Sequence, residues 1–347
     1  MDTSASELLD HWIIPLFDLC ERMRNAARGV LLAARRNGDF ARAVRAVREG
    51  AGDTSYGVDE ATEAVLQEWA HEIARLQPLS LLSEGGGWRH LGPQPGGVRE
   101  LAGFDHGGPR IVVDPVDGTR NLMTDLRSAW SVVGIAGPGA GVPRQSELVF
   151  GMLSEIPDTR AASYRRLSAL RGGPCHFEER TFYKGGPIVK PVELHTGSDA
   201  RVDHGYFPFF KYMADQRPQI AAVEARFLER LERSEAAEVR SCWDDQYISN
   251  GGQLALLSIG TYRMIADLRA WLAAQRGAST TTSKPYDVAG AILVARAAGC
   301  VLEAPDGGAL DFALDCTTPV SFVGWANRAT AQRLGPHLRA VLAELQG

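Results

Sequence analysis

The chain has 347 residues, 45% of them hydrophobic, which suffices for one large domain or two subdomains around a shared cleft. Its 37 basic and 42 acidic residues leave a net charge of −5 with no basic block, excluding the electrostatic footprint of a nucleic-acid binder. Five scattered cysteines without CxxC spacing exclude a disulfide framework, and no run of about 18 apolar residues is available to span a membrane.

The start, with Asp2, Glu7 and Asp10, lacks the basic character of a signal peptide, so the expectation is a cytoplasmic protein. Apolar residues at helical spacing from Ser4 to Arg36, among them Leu8, Leu9, Ile13 and Leu16, predict a long amphipathic helix with Pro15 as its expected break. The turn-rich Gly50 to Gly57 precedes a second helix with Asp59 at its cap and Glu63 one turn in. Leu79 to Leu82 reads as a strand. It runs into Ser83-Glu84-Gly85-Gly86-Gly87, where Glu84 is either a solvated loop acid or a ligand on a loop that approaches closely.

Residues 91–110 read as a loop or hairpin. Ile111-Val112-Val113 then opens a buried strand that is expected to break at Pro115, within Asp114-Pro115-Val116-Asp117-Gly118-Thr119, with Thr119 starting a helix. Trp130 to Ile135 and Leu148 to Leu153 are two more strands, and 157–191 is irregular. The run Tyr206-Phe207-Pro208-Phe209-Phe210 is a core plug or a substrate wall. Helices follow at Gln219 to Leu231, Leu254 to Trp271 and Val288 to Ala298, then a strand at Val320 to Val323 and a helix at Ala329 to Leu345. His90, His106, His176, His195 and His204 lie in turn-like segments and read as surface residues. The alternation predicts a layered α/β architecture with a subdomain boundary near residue 155, giving units 1–155 and 156–347.

A strand end that presents Asp114 and Asp117 just before a helix start can gather divalent cations and an anion. Mg²⁺ usually takes one or two carboxylates and completes its shell with waters and phosphate, so more acids are needed to hold a second ion. Glu84 is one candidate. Asp287, in Lys284-Pro285-Tyr286-Asp287-Val288-Ala289-Gly290-Ala291, is another, and its plain alternative is a helix N-cap.

These two motifs, with Ala297-Ala298-Gly299-Cys300-Val301-Leu302 downstream, resemble the inositol monophosphatase family of magnesium-dependent, lithium-sensitive sugar-phosphate phosphatases. The resemblance spans roughly residues 5–345 and implies a layered α/β/α/β/α sandwich of the inositol monophosphatase and fructose-bisphosphatase type. It implies that Glu84, Asp114 and the Val116 carbonyl hold one Mg²⁺, and that Asp114, Asp117 and Asp287 hold another, with a third ion sharing Glu84. Thr119, paired with Asp59, would orient the attacking water, and the amides of Gly118 and Thr119 would bind phosphate oxygens. The implied partners are a small phosphorylated substrate and a second copy of the chain, with no nucleic acid and no membrane.

Three positions differ from the family pattern. Gly85 follows Glu84 where a second acid is usual, Tyr286 stands where Trp is usual, and the helix that decides the substrate begins Asn250-Gly251-Gly252-Gln253. Cys242-Trp243-Asp244 imitates the Trp-Asp pair but lacks the small-residue helix behind it. Asp244, Asp245 and Gln246 are then candidates for binding substrate hydroxyls, with a surface loop as the alternative. Fructose bisphosphate, histidinol phosphate and a 3′-phosphonucleotide remain alternative substrates, and a family member without turnover is the alternative from another class.

Overall fold

The computed structural model describes residues 3–38, 46–49, 54–84, 86–194, 199–235 and 238–345. Gly85, His195 and residues 50–53 of the expected turn lie outside the described residues, as do the side chains of Leu8 and Leu9. In chain order the elements are α1 (Thr3–Asn37), β1 (Ala46–Glu49), β2 (Thr54–Tyr56), α2 (Gly57–Ala74), β3 (Leu79–Ser83), β4 (Gly87–Gln94), β5 (Gly97–Glu100), β6 (Arg110–Asp117), α3 (Thr119–Met123), β7 (Ala129–Ala136) and β8 (Leu148–Ile156). There follow β9 (Ser163–Leu170), β10 (Cys175–Thr181), β11 (Ile188–Val192), α4 (Arg217–Glu235), α5 (Asn250–Ser258), β12 (Met264–Asp267), α6 (Arg269–Gln275), α7 (Pro285–Ala297), β13 (Val301–Glu303), β14 (Phe322–Trp325) and α8 (Arg328–Glu344).

Nine strands form one sheet in the order β11-β10-β9-β8-β7-β6-β3-β4-β5. Its neighbours are antiparallel except β3 and β6, which run parallel with Leu82 beside Val112. That single parallel pair brings two C-terminal strand ends side by side, so Glu84 and the Asp114 turn leave the sheet at the same edge. A three-stranded sheet, β12-β14-β13, lies further along the chain.

Apolar alternation stacks these elements. On one face of the large sheet Ile111, Val113, Val133 and Ile135 meet Trp12, Leu16, Leu19 and Trp69 of α1 and α2. On the other face Val112, Val132 and Leu153 meet α5 and α7. α7 lies against β7 and β8 because small residues face each other there: a Cβ on Gly290 would fall 2.1 Å from the Val133 carbonyl oxygen. The small sheet covers the far side of α5, and α4 and α8 close the outside through Phe227, Leu231, Leu334 and Leu338. The result is the expected α/β/α/β/α layering.

Three local expectations are corrected. α1 runs through Pro15 without a break, and the Pro15 carbonyl accepts the Trp69 indole N–H at 3.1 Å, which ties α1 to α2. The 157–191 stretch holds β9, β10 and β11, in which charged pairs such as Arg166 with Glu178 stand on the face that packs on α1, where Arg166 stacks on Phe17, so no apolar alternation marks them. The large sheet therefore continues past residue 155 to Val192. The helix expected over 254–271 is a helix, the buried strand β12 and a second short helix. A fully buried apolar run such as Met264-Ile265-Ala266 has no period that separates strand from helix. The aromatic run is the expected core plug, with Phe207, Phe209 and Phe210 buried. Among the described residues no helix is long and apolar enough to cross a membrane.

Candidate active site

β6 does not stop at Pro115. It continues to Asp117 with a bulge, because Asp114 pairs with Val132 and Asp117 with Trp130, so that Pro115 and Val116 together oppose Ser131 alone. The bulge decides the site. In a regular strand, residues three apart point to opposite faces. Here Val112 and Asp114 face the α5/α7 side. The extra residue turns Val116 toward Ala27 and Leu31 of α1, and so returns Asp117 to the face of Asp114. The Ser131 hydroxyl donates to the Pro115 carbonyl at 2.8 Å and holds the bulge in place. Gly118 follows at φ 100°, a left-handed conformation that favours glycine, and Thr119 opens α3.

The other predicted residues converge on this strand end. Asp59 sits at the third position of α2 rather than at its cap. Its Oδ2 accepts the Tyr56 N–H at 2.7 Å, while Oδ1 lies 2.7 Å from the Thr119 hydroxyl. The same hydroxyl is 2.9 Å from the Val116 carbonyl, so it donates to one partner and keeps lone pairs for another. Asp287 repeats the arrangement at the third position of α7, where its Oδ2 accepts the Lys284 N–H at 2.8 Å.

Asp59, Glu84, Asp114, Val116, Asp117, Gly118, Thr119 and Asp287 all line one cleft enclosing about 650 Å³ with its open mouth. Burial, reinforced by the charges of Asp117, Asp287 and Glu84, holds the Asp114 carboxyl well above the usual carboxylate range. Burial also pushes Asp117 up to about 6, against three bonds that favour its charged form. Those bonds come from α5. The Ser249 hydroxyl donates to Asp117 Oδ2 at 2.8 Å, the Gly251 N–H donates to the same oxygen, and the Asn250 N–H lies 3.3 Å from Oδ1. The start of the helix expected to choose the substrate thus clasps a candidate metal ligand.

Tyr212, Ile248, Thr281, Thr282 and Arg269 complete the lining, with Phe210 of the aromatic run and with Arg120, which follows Thr119 on α3; apart from Phe210 they were not foreseen. Arg269 and Asp267 form an ion pair, 2.7 Å apart and 2% and 0% exposed in their side chains, that closes on itself at the end of β12. The Ser283 hydroxyl donates to Asp267, the Arg269 guanidinium donates to Ser283 at 2.9 Å, and the Asn250 amide donates to Ser283 at 2.6 Å. A buried acid and base two residues apart, Asp267-Leu268-Arg269, were the available signal, hidden by the apparent continuity of one helix.

Asp244, Asp245 and Gln246 do not line the cleft. Asp244 pairs with Lys211 at 2.7 Å, Asp245 takes a two-pronged bond from Arg127 at 2.7 and 3.0 Å, and Gln246 bonds the backbone at Phe209 and Lys211. Their polar groups bond the 199–247 segment and its neighbours, the arrangement of the alternative in which they form a loop outside the cleft. Trp243 is 46% exposed and packs on His204 and Tyr206.

The four carboxylates and the Val116 carbonyl form an all-oxygen donor set of the kind Mg²⁺ prefers. Among the described residues no three His, Cys, Asp or Glu side chains are drawn together closely enough to form a metal cluster as they stand. Carboxylates around one cleft repel, as the raised Asp114 shows, and a divalent cation is the partner that would let them converge. The donor chemistry therefore fits the ion.

No family profile matches the sequence, and no curated protein does. Solved structures are similar over almost the whole chain. The holo form of Leishmania major fructose-1,6-bisphosphatase aligns with a TM-score of 0.64 at 10% identity, covering 99% of this chain and 96% of its own. A Pyrococcus horikoshii protein described as having similarities to inositol-1 monophosphatase gives a TM-score of 0.58 at 15% identity, covering 95% and 98%. The Bartonella henselae extragenic suppressor protein suhB gives 0.59 at 16% identity, covering 93% and 98%. The bulged strand end, the layered sheets and these likenesses agree: the chain has the fold of the inositol monophosphatase and fructose-bisphosphatase type.

Proposed function

We propose that the protein is a Mg²⁺-dependent phosphatase that hydrolyses a small phosphate monoester, a sugar or polyol phosphate. The observation that carries this reading is the 2.7 Å contact of Thr119 with Asp59 on the same cleft as Glu84, Asp114, Asp117 and Asp287. Glu84, Asp114, Asp117, Asp287 and the Val116 carbonyl would hold two or three Mg²⁺. Bound there, Mg²⁺ supplies charge neutralisation for the phosphate and lowers the pKa of water at neutral pH. Asp59 accepts the Thr119 proton, which leaves a Thr119 lone pair to orient the attacking water for in-line displacement. The Gly118 and Thr119 amides at the left-handed turn bind phosphate oxygens. No side chain need become phosphorylated. Arg120, Tyr212, Thr281 and Thr282 face the leaving group.

One observation favours a second reading, a protein of this fold that binds a partner without turnover: Asp117 is already clasped by the start of α5. A phosphate-release screen separates the two. Polyol, sugar, nucleotide and amino-alcohol phosphates are offered with Mg²⁺ and again with a chelator. The phosphatase reading expects release from at least one ester, abolished by the chelator and restored by Mg²⁺. Silence across the panel together with binding of a macromolecular partner establishes the second reading.

A further inference from the structure

Glu84 follows β3 and Asp287 opens α7, and one segment touches the flanks of both. On the Glu84 side, the Trp88 indole N–H donates to the Leu314 carbonyl at 2.8 Å, and the Cys316 thiol donates to the Ser83 carbonyl at 3.1 Å. The amides of Gly86 and Gly87 face the same sulfur. On the Asp287 side, Lys284 Nζ donates to the Thr317 carbonyl at 3.0 Å, and the Val320 N–H donates to the Ser283 carbonyl at 2.9 Å. Between these anchors the Asp315 carboxylate accepts the Thr317 N–H at 2.7 Å and the N–H and hydroxyl of Thr318 at 2.6 Å, which folds the segment into a closed turn. Leu314 and Val320 are buried at its two ends.

We propose that residues 314–320 are a strap that fixes the separation of Glu84 from Asp287, and that Trp88, Cys316 and Lys284 are positioning residues for the cation these carboxylates hold. The inference rests on the reading that both acids bind Mg²⁺. Its physical basis is that ligands must be held to within about 0.5 Å, and Glu84 stands on a glycine-rich loop that cannot hold itself so closely. The strap couples that loop to the rigid, buried start of α7. Cys316 acts here as a hydrogen-bond donor and neither as a ligand nor as a nucleophile, in keeping with burial raising its thiol pKa.

The test is calorimetric titration of the full-length chain with MgCl₂, set beside thermal unfolding of the metal-free protein. Trp88→Phe keeps the ring and removes the donor, and Cys316→Ala removes the thiol. The double variant is expected to bind Mg²⁺ about 10–100-fold more weakly, the loss typical of outer partners of a ligand. Its metal-free unfolding midpoint should stay within about 4 °C of wild type, the shift a change of roughly 1 kcal/mol produces. Cys316→Ser, which keeps a donor, should recover most of the affinity in the wild-type Trp88 background. Unchanged affinity in the double variant overturns the strap. So does a loss of affinity and metal-free stability together that Cys316→Ser does not recover, since that pattern is merely structural. A wild-type chain that binds no Mg²⁺ overturns the strap and the metal reading at once, and is told apart from the other failures by the wild-type titration alone.

Discussion

The two walls of the cleft are built on different principles. The strand-end wall is local: Asp114, Val116, Asp117, Gly118 and Thr119 are nearly consecutive, and one bulge against β7 aims both aspartates the same way. The far wall is assembled from separate pieces, with α5, β12, α6 and the start of α7 joined through Asp267, Arg269, Ser283 and Asn250. The first wall carries the chemistry and leans on backbone geometry. The second carries fixed charge and leans on a buried ion pair, a device that is costly to desolvate and costly to break. If this contrast is right, substitutions in the first wall should remove function with little loss of fold, and substitutions in the second should do the reverse.

The sharpest way to break the contrast is Asp117→Asn. It conserves shape and a hydrogen-bonding side chain but removes the charge, so Mg²⁺-dependent phosphate release should fall by at least about a hundredfold, since losing a ligand exceeds losing its outer partner. Urea unfolding should change little, because burial already disfavours the charged form of this carboxyl. Undiminished release would remove Asp117 from the metal assignment.

Arg269→Met is next. It leaves Asp267 buried without its partner, so stability measured by urea unfolding should fall by about 3–5 kcal/mol. Asp267→Asn combined with Arg269→Met should recover part of that, because no lone charge then remains in the core. A single-variant loss under about 1 kcal/mol, the range of exposed pairs, would show that the far wall is held by something else.

The decoy motif gives a smaller contrast. Asp287→Ala should weaken the Mg²⁺ dependence of phosphate release, whereas Asp244→Ala should leave it unchanged and cost no more than about 1 kcal/mol, as its contact with Lys211 lies at a partly exposed site. The reverse order of effects would put the second ligand on the 242–246 segment.

Legibility followed the same division. The Asp114 to Thr119 run and the Asp287 helix could be read because each is one stretch of chain whose residue types already imply a strand end or a helix start. For Asp59 and Asp287 a helix cap stood beside the functional reading, and both sit at the third helical position instead. The true cap positions, Tyr56 and Lys284, have no short polar side chain, so the aspartate three residues later reaches back to their N–H groups. The bulge was invisible, because it exists only as a mismatch with β7. Arg269, the α5 clasp on Asp117 and the strap depend on partners from distant parts of the chain, which no periodicity reports. Asp244, Asp245 and Gln246 left two readings open for the complementary reason: a polar run looks available until Lys211, Arg127 and the Phe209 carbonyl are seen to bond it.

The smallest expected effect concerns what stands beneath the strand-end wall. His90 and His106 are not free surface residues. Both ring nitrogens meet the Ser80 hydroxyl, His90 Nδ1 at 2.8 Å and His106 Nε2 at 2.7 Å, at the start of the strand that ends in Glu84. The Gly108 N–H donates to His106 Nδ1 at 3.1 Å, which makes that nitrogen an acceptor and leaves Nε2–H to donate to Ser80. Ser80 then donates to His90 Nδ1. The chain of donors works only while both rings are neutral, and burial lowers both pKa values from the ordinary 6.5. The sign follows: between the lowered folded values and 6.5 the unfolded chain binds more protons than the folded one, so the contribution is complete above 6.5 and is lost as pH falls below it. Urea midpoints should therefore drop from pH 7.5 to 5.5, and drop less when both histidines are replaced by glutamine. An equal drop in wild type and variant would mean that this relay does not support the wall above it.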